Sequence, residues 1–347
     1  MKHVDDLSRE THLRVPNALR ACRLSPTEWR EGQRQEGLVL GGLAWGWGGD
    51  SSGLAALDTP LLVSTCPFAD VWVTQGDALR CGQSGSVRWQ TDGQWAFGQL
   101  NLPEADGALE QTAYRAYRDL FAALDDCGCP QLLRLWNYLP RINADGGGLE
   151  RYRQFNIGRQ QAFMDAQRDP FEGAPAACAL GTAGPTLGGL SVRFLAGRVA
   201  PRPVENPRQV PAYRYSRTYG PRAPTFSRAA LADAGGGRLA LLVSGTASIV
   251  GEHTVHHDDV VAQTLETLRN LQAVIDSAHQ GGSARYTLGG LQPTVYVRHA
   301  ADAVAVRQVL AQAEPAWRDA PCVQADICRA DLLVEIEAHA FAPGALL

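Results

Sequence analysis

The chain has 347 residues, is 45% hydrophobic and 20% charged, and carries a net charge of -4 with a pI near 6.1. This is globular composition, with no global field to hold nucleic acid or an anionic membrane, and no apolar run approaches the ~20 residues that span a bilayer. Lys2 is the only lysine, which removes pyridoxal phosphate and Schiff-base chemistry, since both need a buried amine.

The first residues, MKHVDDLSRETHLR, are charged and polar. They read as no signal peptide, so a cytoplasmic protein is expected, with its eight cysteines as reduced thiols. The glycine-rich stretches at 41–53 and 146–148 lack the Lys-Ser/Thr of a phosphate-binding loop and read as loops. Trp45 and Trp47 alternate as on a strand and are expected in the core. Trp95 to Leu102 reads as a strand. Ala113 to Gly128 reads as a helix with Tyr117, Leu120, Phe121 and Leu124 on one face. Cys127-Gly128-Cys129 is too tightly spaced for a zinc or redox CxxC pair and reads as a turn after that helix. Leu132 to Pro140 follows as a strand, Gly148 to Phe163 as a helix, and Gly188 to Gly197 as a strand.

Ala200 to Arg228 is dense in proline, arginine and tyrosine. A disordered linker would hold fewer aromatics, so an ordered strap is expected. It is either a solvent-exposed strap packed by its rings, or a binding segment whose hydroxyls and guanidinium groups suit a polyoxygenated acid. The arginine bias itself fits either a carboxylate ligand or a biased genome.

The second half repeats the order of the first. RLALLVSGTASI reads as a strand, and Asp259 to Ala278 as a helix capped by Asp258 or Asp259. Gln292 to Arg298 is a strand, Ala301 to Ala313 a helix, and LLVEIEAHA a closing strand. Two copies of strand, helix, strand, helix, strand imply two similar α+β units packed together, 1–200 and 201–347. Thirteen residues after Cys178 stands Ser191, and thirteen after Cys322 stands Glu335. One copy thus offers a carboxylate where the other has a hydroxyl, and a single site on a pseudo-symmetric body is expected. His253, His256, His257 and Asp258 could be taken for a metal site, but Thr254 stands where HExxH has glutamate, and a helix-entry loop is preferred.

Residues 224–340, with PTFSRA, SGTASI, TVYVR and VEIEAHA, resemble the RidA/YjgF family. The whole chain resembles the chorismatase, or 3-hydroxybenzoate synthase, family. The carrying motifs are LLRLWNYLPRIN (132–143), GLERYRQFNIGRQQAF (148–163), NPRQVPAYRY (206–215), SGTASIVGEH (244–253) and DICRADLLVEIEA (326–338). The resemblance implies two RidA-like (chorismate-mutase-like) α+β domains in a pseudo-dimer, with mixed sheets and helices packed on one face. It also implies chorismate as substrate, 3-hydroxybenzoate and pyruvate as products, and no cofactor or metal. RidA-type deaminases hold the substrate carboxylate with an arginine shortly before the cysteine aligned with Cys322. Ala320 stands there, which argues against deamination. The chorismatase resemblance moves carboxylate binding to Arg153, Arg159 and the 206–228 segment, with Tyr213, Tyr215, Arg217 and Arg222.

Chorismate carries a ring carboxylate, a ring hydroxyl and an enolpyruvyl ether with a second carboxylate. Its cleavage needs a proton donor at the vinyl carbon, anchors for two carboxylates and restricted water. Glu335 is expected to be that donor, neutral in an apolar pocket, with Glu337 on the same strand face raising its proton affinity. The alternative is an edge strand with two solvated glutamates. By resemblance, Cys328 steers toward 3-hydroxybenzoate, which some cysteine-bearing members form mixed with 4-hydroxybenzoate, and a second discriminating position lies near Gly245 to Ala247. Otherwise Cys328 is a small buried hydrophobe. The competing functions are chorismate hydrolysis to a dihydrodiol acid, a RidA-like imine or enamine hydrolase, and a non-catalytic aromatic-acid binder. A monomer is expected, because fused repeats supply their own interface.

Overall fold

The computed structural model describes residues 17–32, 37–47, 53–57, 59–104, 109–182 and 189–347. Lys2, the MKHVDDLSRETHLR start and part of the 41–53 glycine run lie outside them. Among the described residues, no helix is long and apolar enough to cross a membrane.

The first 74 residues contribute β1 (Leu19–Leu24), the one-turn helix α1 (Pro26–Arg30), β2 (Leu38–Trp45), β3 (Ala55–Leu57), β4 (Leu61–Leu62) and β5 (Phe68–Thr74). The first repeat holds β6 (Arg80–Ser84), β7 (Val87–Thr91), β8 (Trp95–Pro103), α2 (Leu109–Cys127), β9 (Gln131–Pro140), α3 (Arg151–Asp165), β10 (Ala176–Thr182) and β11 (Gly189–Gly197). The second holds β12 (Arg202–Val204), β13 (Ala229–Asp233), β14 (Arg238–Ala247), β15 (Ile249–Val250), β16 (His253–Thr254), α4 (Val260–Ala278), β17 (Gln292–Val297), α5 (Ala303–Ala313), β18 (Cys322–Gln324), β19 (Asp326–Ile327) and β20 (Val334–Pro343).

Two seven-stranded mixed sheets follow, ordered β19-β10-β9-β11-β8-β7-β6 and β12-β13-β14-β20-β17-β18-β4. Their inner strands correspond one to one: a hairpin (β7-β8 or β13-β14), the closing strand (β11 or β20), then a parallel pair (β9-β10 or β17-β18). The α+β class and the repeated order read from the sequence are both present. The short edge strands are exchanged: β19, from the second half, extends the first sheet, and β4, from the first half, extends the second. A separate four-stranded sheet, β1-β5-β2-β3, was not foreseen.

Alternation on each strand sorts residues into layers. Leu190, Val192 and Phe194 of β11 pack under α2 and α3. Val334, Ile336 and Ala338 of β20 pack under α4 and α5. Between the sheets lie Trp136, Tyr138, Cys178, Leu242, Tyr296 and Val323, joined by Trp45 and Trp72 of the four-stranded sheet. Trp45 is therefore core, stacked on Phe68 at 4.7 Å, while Trp47 is half-buried beside Trp29. Cys127 ends α2, and Gly128 turns the chain with φ +74°. Asp259 caps α4 by accepting from Ala262 N at 2.9 Å.

The two landmark cysteines are not equivalent. Cys178 pairs in register with Trp136 and faces the other sheet, whereas Cys322 pairs with Val295 and faces the helices. A one-residue offset is enough to reverse the face. The pairing of Ser191 with Glu335 stands on firmer ground. Ser191 lies opposite Tyr138 and Glu335 opposite Tyr296, and the two tyrosine hydroxyls meet at 3.2 Å across the sheet interface.

Candidate active site

Glu335 lies on β20, which is flanked by β14 and β17, so it is on an interior strand of its sheet. It is 3% exposed and Glu337 is 5% exposed, which removes the reading of two solvated edge glutamates. The register of β14 on β20 shifts between Val243 and Thr246, a bulge beside the carboxyl group. Gly245 sits in that bulge. A Cβ at Gly245 would collide with Glu335 Oε1, so only glycine leaves room for the acid. Glu335 Oε1 is buried with no hydrogen-bond partner among the described residues. Burial first, and then the neighbouring Glu337 charge, push its pKa up to about 8.

Glu335 lines a cavity of about 370 Å³ together with Gly245, Ala247, Ile249, Cys328 and Leu332. The strap closes one side with Tyr215, Tyr219, Pro224, Phe226 and Arg228, and the start of α3 closes another with Glu150, Tyr152 and Arg153. Arg329, Ala330 and Asp331 complete the lining. Both halves of the chain thus build one cavity.

The cationic groups are arranged by aromatic rings. The Arg329 guanidinium lies 3.9 Å from the Tyr219 ring centre and 4.9 Å from that of Tyr215, and donates to the Glu252 carbonyl at 2.8 Å. Arg228 donates to the Tyr215 hydroxyl at 2.7 Å and to the Val210 carbonyl at 2.9 Å. Arg329 Nη2 and Arg228 Nε are buried without hydrogen-bond partners among the described residues. Unspent buried donors of this kind favour an incoming anion. Arg153 is more exposed and donates to Glu150 at 3.2 Å.

The loop carrying Cys328 and Arg329 is fixed by Arg298, at the end of β17. Its guanidinium donates to the Leu332, Ile327 and Arg329 carbonyls, to Asp326 and to Asn143, at 2.7–3.1 Å. Asn143 in turn donates to Glu150 at 3.3 Å. One side chain therefore ties the Cys328 loop to the α3 wall. Burial pushes the Cys328 thiol up to about 12, so it stands in the cavity as a neutral group rather than as a thiolate nucleophile.

Six of the residues singled out from the sequence meet at this cavity: Glu335, Cys328, Gly245, Ala247, Arg153 and Tyr215. Arg159, Tyr213, Arg217 and Arg222 do not line it. Arg159 follows Arg153 by six residues, about 240° around the helix. It is buried against Phe155 at 4.9 Å and donates to Asn156. Tyr213 and Arg217 lie in two 3-10 turns, Ala212–Arg214 and Arg217–Tyr219, that bring Tyr215 and Tyr219 to the cavity and leave Arg217 outside. Arg222 is exposed. Sequence reasoning missed Arg298 and Arg329. Arg329 directly follows Cys328, and its place in the short run between β19 and β20 was the available signal. The histidines of 253–257 are dispersed: His253 contacts the Tyr219 hydroxyl at 3.3 Å, His256 lies 3.7 Å from Glu266 and His257 3.6 Å from Asp331. Among the described residues, no group of three or more potential ligands is placed to hold a metal ion.

Comparison with known proteins identifies relatives that match most of the chain. The family model described as chorismatase FkbO/Hyg5-like, N-terminal, matches residues 70–196. A 3-hydroxybenzoate synthase from Streptomyces hygroscopicus is 39% identical over 282 residues, covering 78% of this chain and 81% of the relative. A chorismatase from Streptomyces rapamycinicus is 39% identical over 277 residues, with the same coverage. A crystal structure of a chorismatase superposes with a TM-score of 0.80 at 31% identity, covering 93% of this chain and 98% of that one. With relatives this similar over most of their length, and a shared fold, the chain belongs to the chorismatase family.

Proposed function

We propose that this protein cleaves chorismate to 3-hydroxybenzoate and pyruvate, with Glu335 as the proton donor. The observation that carries the reading is a buried, unpaired carboxyl group, its pKa raised to about 8, in a cavity that also holds arginines. Glu335 protonates the terminal vinyl carbon and generates an oxocarbenium ion. The ring hydroxyl then attacks the adjacent ring carbon, the ring–ether bond breaks and pyruvate leaves. The resulting epoxide opens: the proton released from the hydroxyl returns to the oxygen as its bond to the original carbon breaks, and loss of the ring proton from the attacked carbon makes the product aromatic. One proton enters at the vinyl carbon and one leaves the ring, so atoms balance without water, redox change or a cofactor.

Arg228, Arg329 and Arg153 are the candidate anchors for the two carboxylates. Cys328 occupies the wall where a small aliphatic residue would admit water, and so favours internal attack over hydrolysis to the dihydrodiol acid. We further read the chain as two units, 1–200 and 201–347, acting as a cytoplasmic monomer. The test is incubation of the purified protein with chorismate, following pyruvate with lactate dehydrogenase and products by chromatography. Pyruvate released together with 3-hydroxybenzoate is the expected result. Absence of pyruvate overturns the reading, and ligand-induced stabilisation without turnover would mark an aromatic-acid binder instead.

A further inference from the structure

We propose that Glu337, which lies outside the cavity lining, is a positioning residue: its ionised carboxylate keeps the proton on Glu335. This rests on the reading of Glu335 as proton donor. The two glutamates are two residues apart on β20, share a strand face and are both buried. Their partners differ sharply. Glu337 forms an ion pair with buried Arg134 of β9 and accepts the Tyr296 hydroxyl at 2.7 Å. That hydroxyl also meets Tyr138 at 3.2 Å. Glu335 Oε1 has no partner at all among the described residues.

Two carboxylates on one dry strand face do not both ionise readily. The one that owns the cation and the phenol takes the negative charge, and the other keeps its proton. The remaining groups around Glu335 do not reverse this. Arg134 and Arg298 favour the ionised form, but Arg134 is engaged by Glu337, and Arg298 by Asp326, Asn143 and three carbonyls. Tyr296, Cys328 and Cys178 are neutral neighbours whose own ionisation burial disfavours. Across the cavity stand Arg228 from the strap, Arg329 and Asp331 from the 328–332 loop, and Glu150 and Arg153 from the start of α3. The two ends of the device come from different halves of the chain, Arg134 from the first repeat and Glu337 from the second. The seam between the sheets is thus part of the acid.

The test is the pH profile of kcat for pyruvate release in wild type, Glu337→Gln, the double variant Arg134→Met with Glu337→Gln, and Glu335→Gln. In Glu337→Gln the Arg134 cation loses its partner and the neighbouring anion is gone, so the fall in rate at high pH should move down by about one to two pH units. The double variant removes the stranded cation as well, and its limb should fall between those of wild type and the single variant. An unmoved limb in folded Glu337→Gln overturns the proposal. Should that variant fail to fold, the double variant decides: its limb below wild type supports the proposal, and at or above wild type refutes it. Retained turnover in Glu335→Gln would instead defeat the reading of Glu335 as donor, which keeps the two failures distinct.

Discussion

The two seven-stranded sheets share one topology, yet where the second sets Glu335 in a cavity the first has Ser191. At the corresponding place in the first sheet, Ser191 donates to Asn101 at 2.8 Å, and the two Nη atoms of buried Arg193 donate to the Leu100 and Val192 carbonyls and to Asn101. β8 and β11 run in unbroken register past these residues. In the second sheet the register of β14 slips beside Glu335, Gly245 removes a side chain, and Oε1 is left without a partner. A common scaffold thus becomes a site through three local changes: a bulge, a glycine and a carboxyl group with nothing to bond. At this one place the first repeat gives its hydroxyl a partner, whereas the second leaves a carboxyl oxygen without one where a proton must be held ready.

The sharpest way to break this contrast is to remove the acid. Glu335→Gln keeps the shape and removes the transferable proton, and pyruvate release should fall by about 10²–10⁴-fold while chorismate still stabilises the fold. Turnover near the wild-type rate would mean that the second sheet is no more specialised than the first. Next in size is Gly245→Ala. The added methyl must displace Glu335, and a misplacement of about 1 Å costs roughly 10²-fold in kcat. A fully active, folded Gly245→Ala would show that the bulge is incidental.

A smaller effect lies in stability. The folded-state pKa of Glu335 is raised to about 8 from an ordinary 4.5, so the unfolded chain releases this proton first. Its contribution is complete below about 4.5 and is lost as pH rises through about 8. Denaturant unfolding between pH 6 and pH 9 should therefore show a steeper loss of stability in wild type than in Glu335→Gln. Glu205, raised to about 7 by burial, adds the same slope to both proteins, so the difference isolates Glu335. Parallel slopes would contradict the assignment. The smallest change is expected from Cys328→Ala. It should redistribute products toward the dihydrodiol acid without abolishing pyruvate release, and an unchanged chromatogram would remove Cys328 as the steering group.

The repeated unit was legible because its helices and interior strands carry long periodic signals, as in Ala113 to Gly128 and in VEIEAHA. Glu335 stood out as a carboxyl group flanked by Leu333, Val334 and Ile336. The exchanged edge strands are two residues each, Leu61–Leu62 and Asp326–Ile327, too short for any period to register. The cations and rings of the cavity were half legible. Arginines and tyrosines in the 206–228 strap left a binding segment and an exposed strap both open, and which of them face inward depends on two 3-10 turns that composition does not encode. Arg298 was invisible because its role depends on five acceptors, none of them a neighbour in sequence.

The proposed chemistry requires a neutral carboxylic acid at position 335 at neutral pH. Infrared difference spectroscopy of the protein, with Glu335→Gln as the blank, reads this directly. A protonated-carboxyl band should be present at pH 7, disappear as pH passes about 8, and be missing from the variant. A spectrum at pH 7 with only the carboxylate signature at this position would contradict the account.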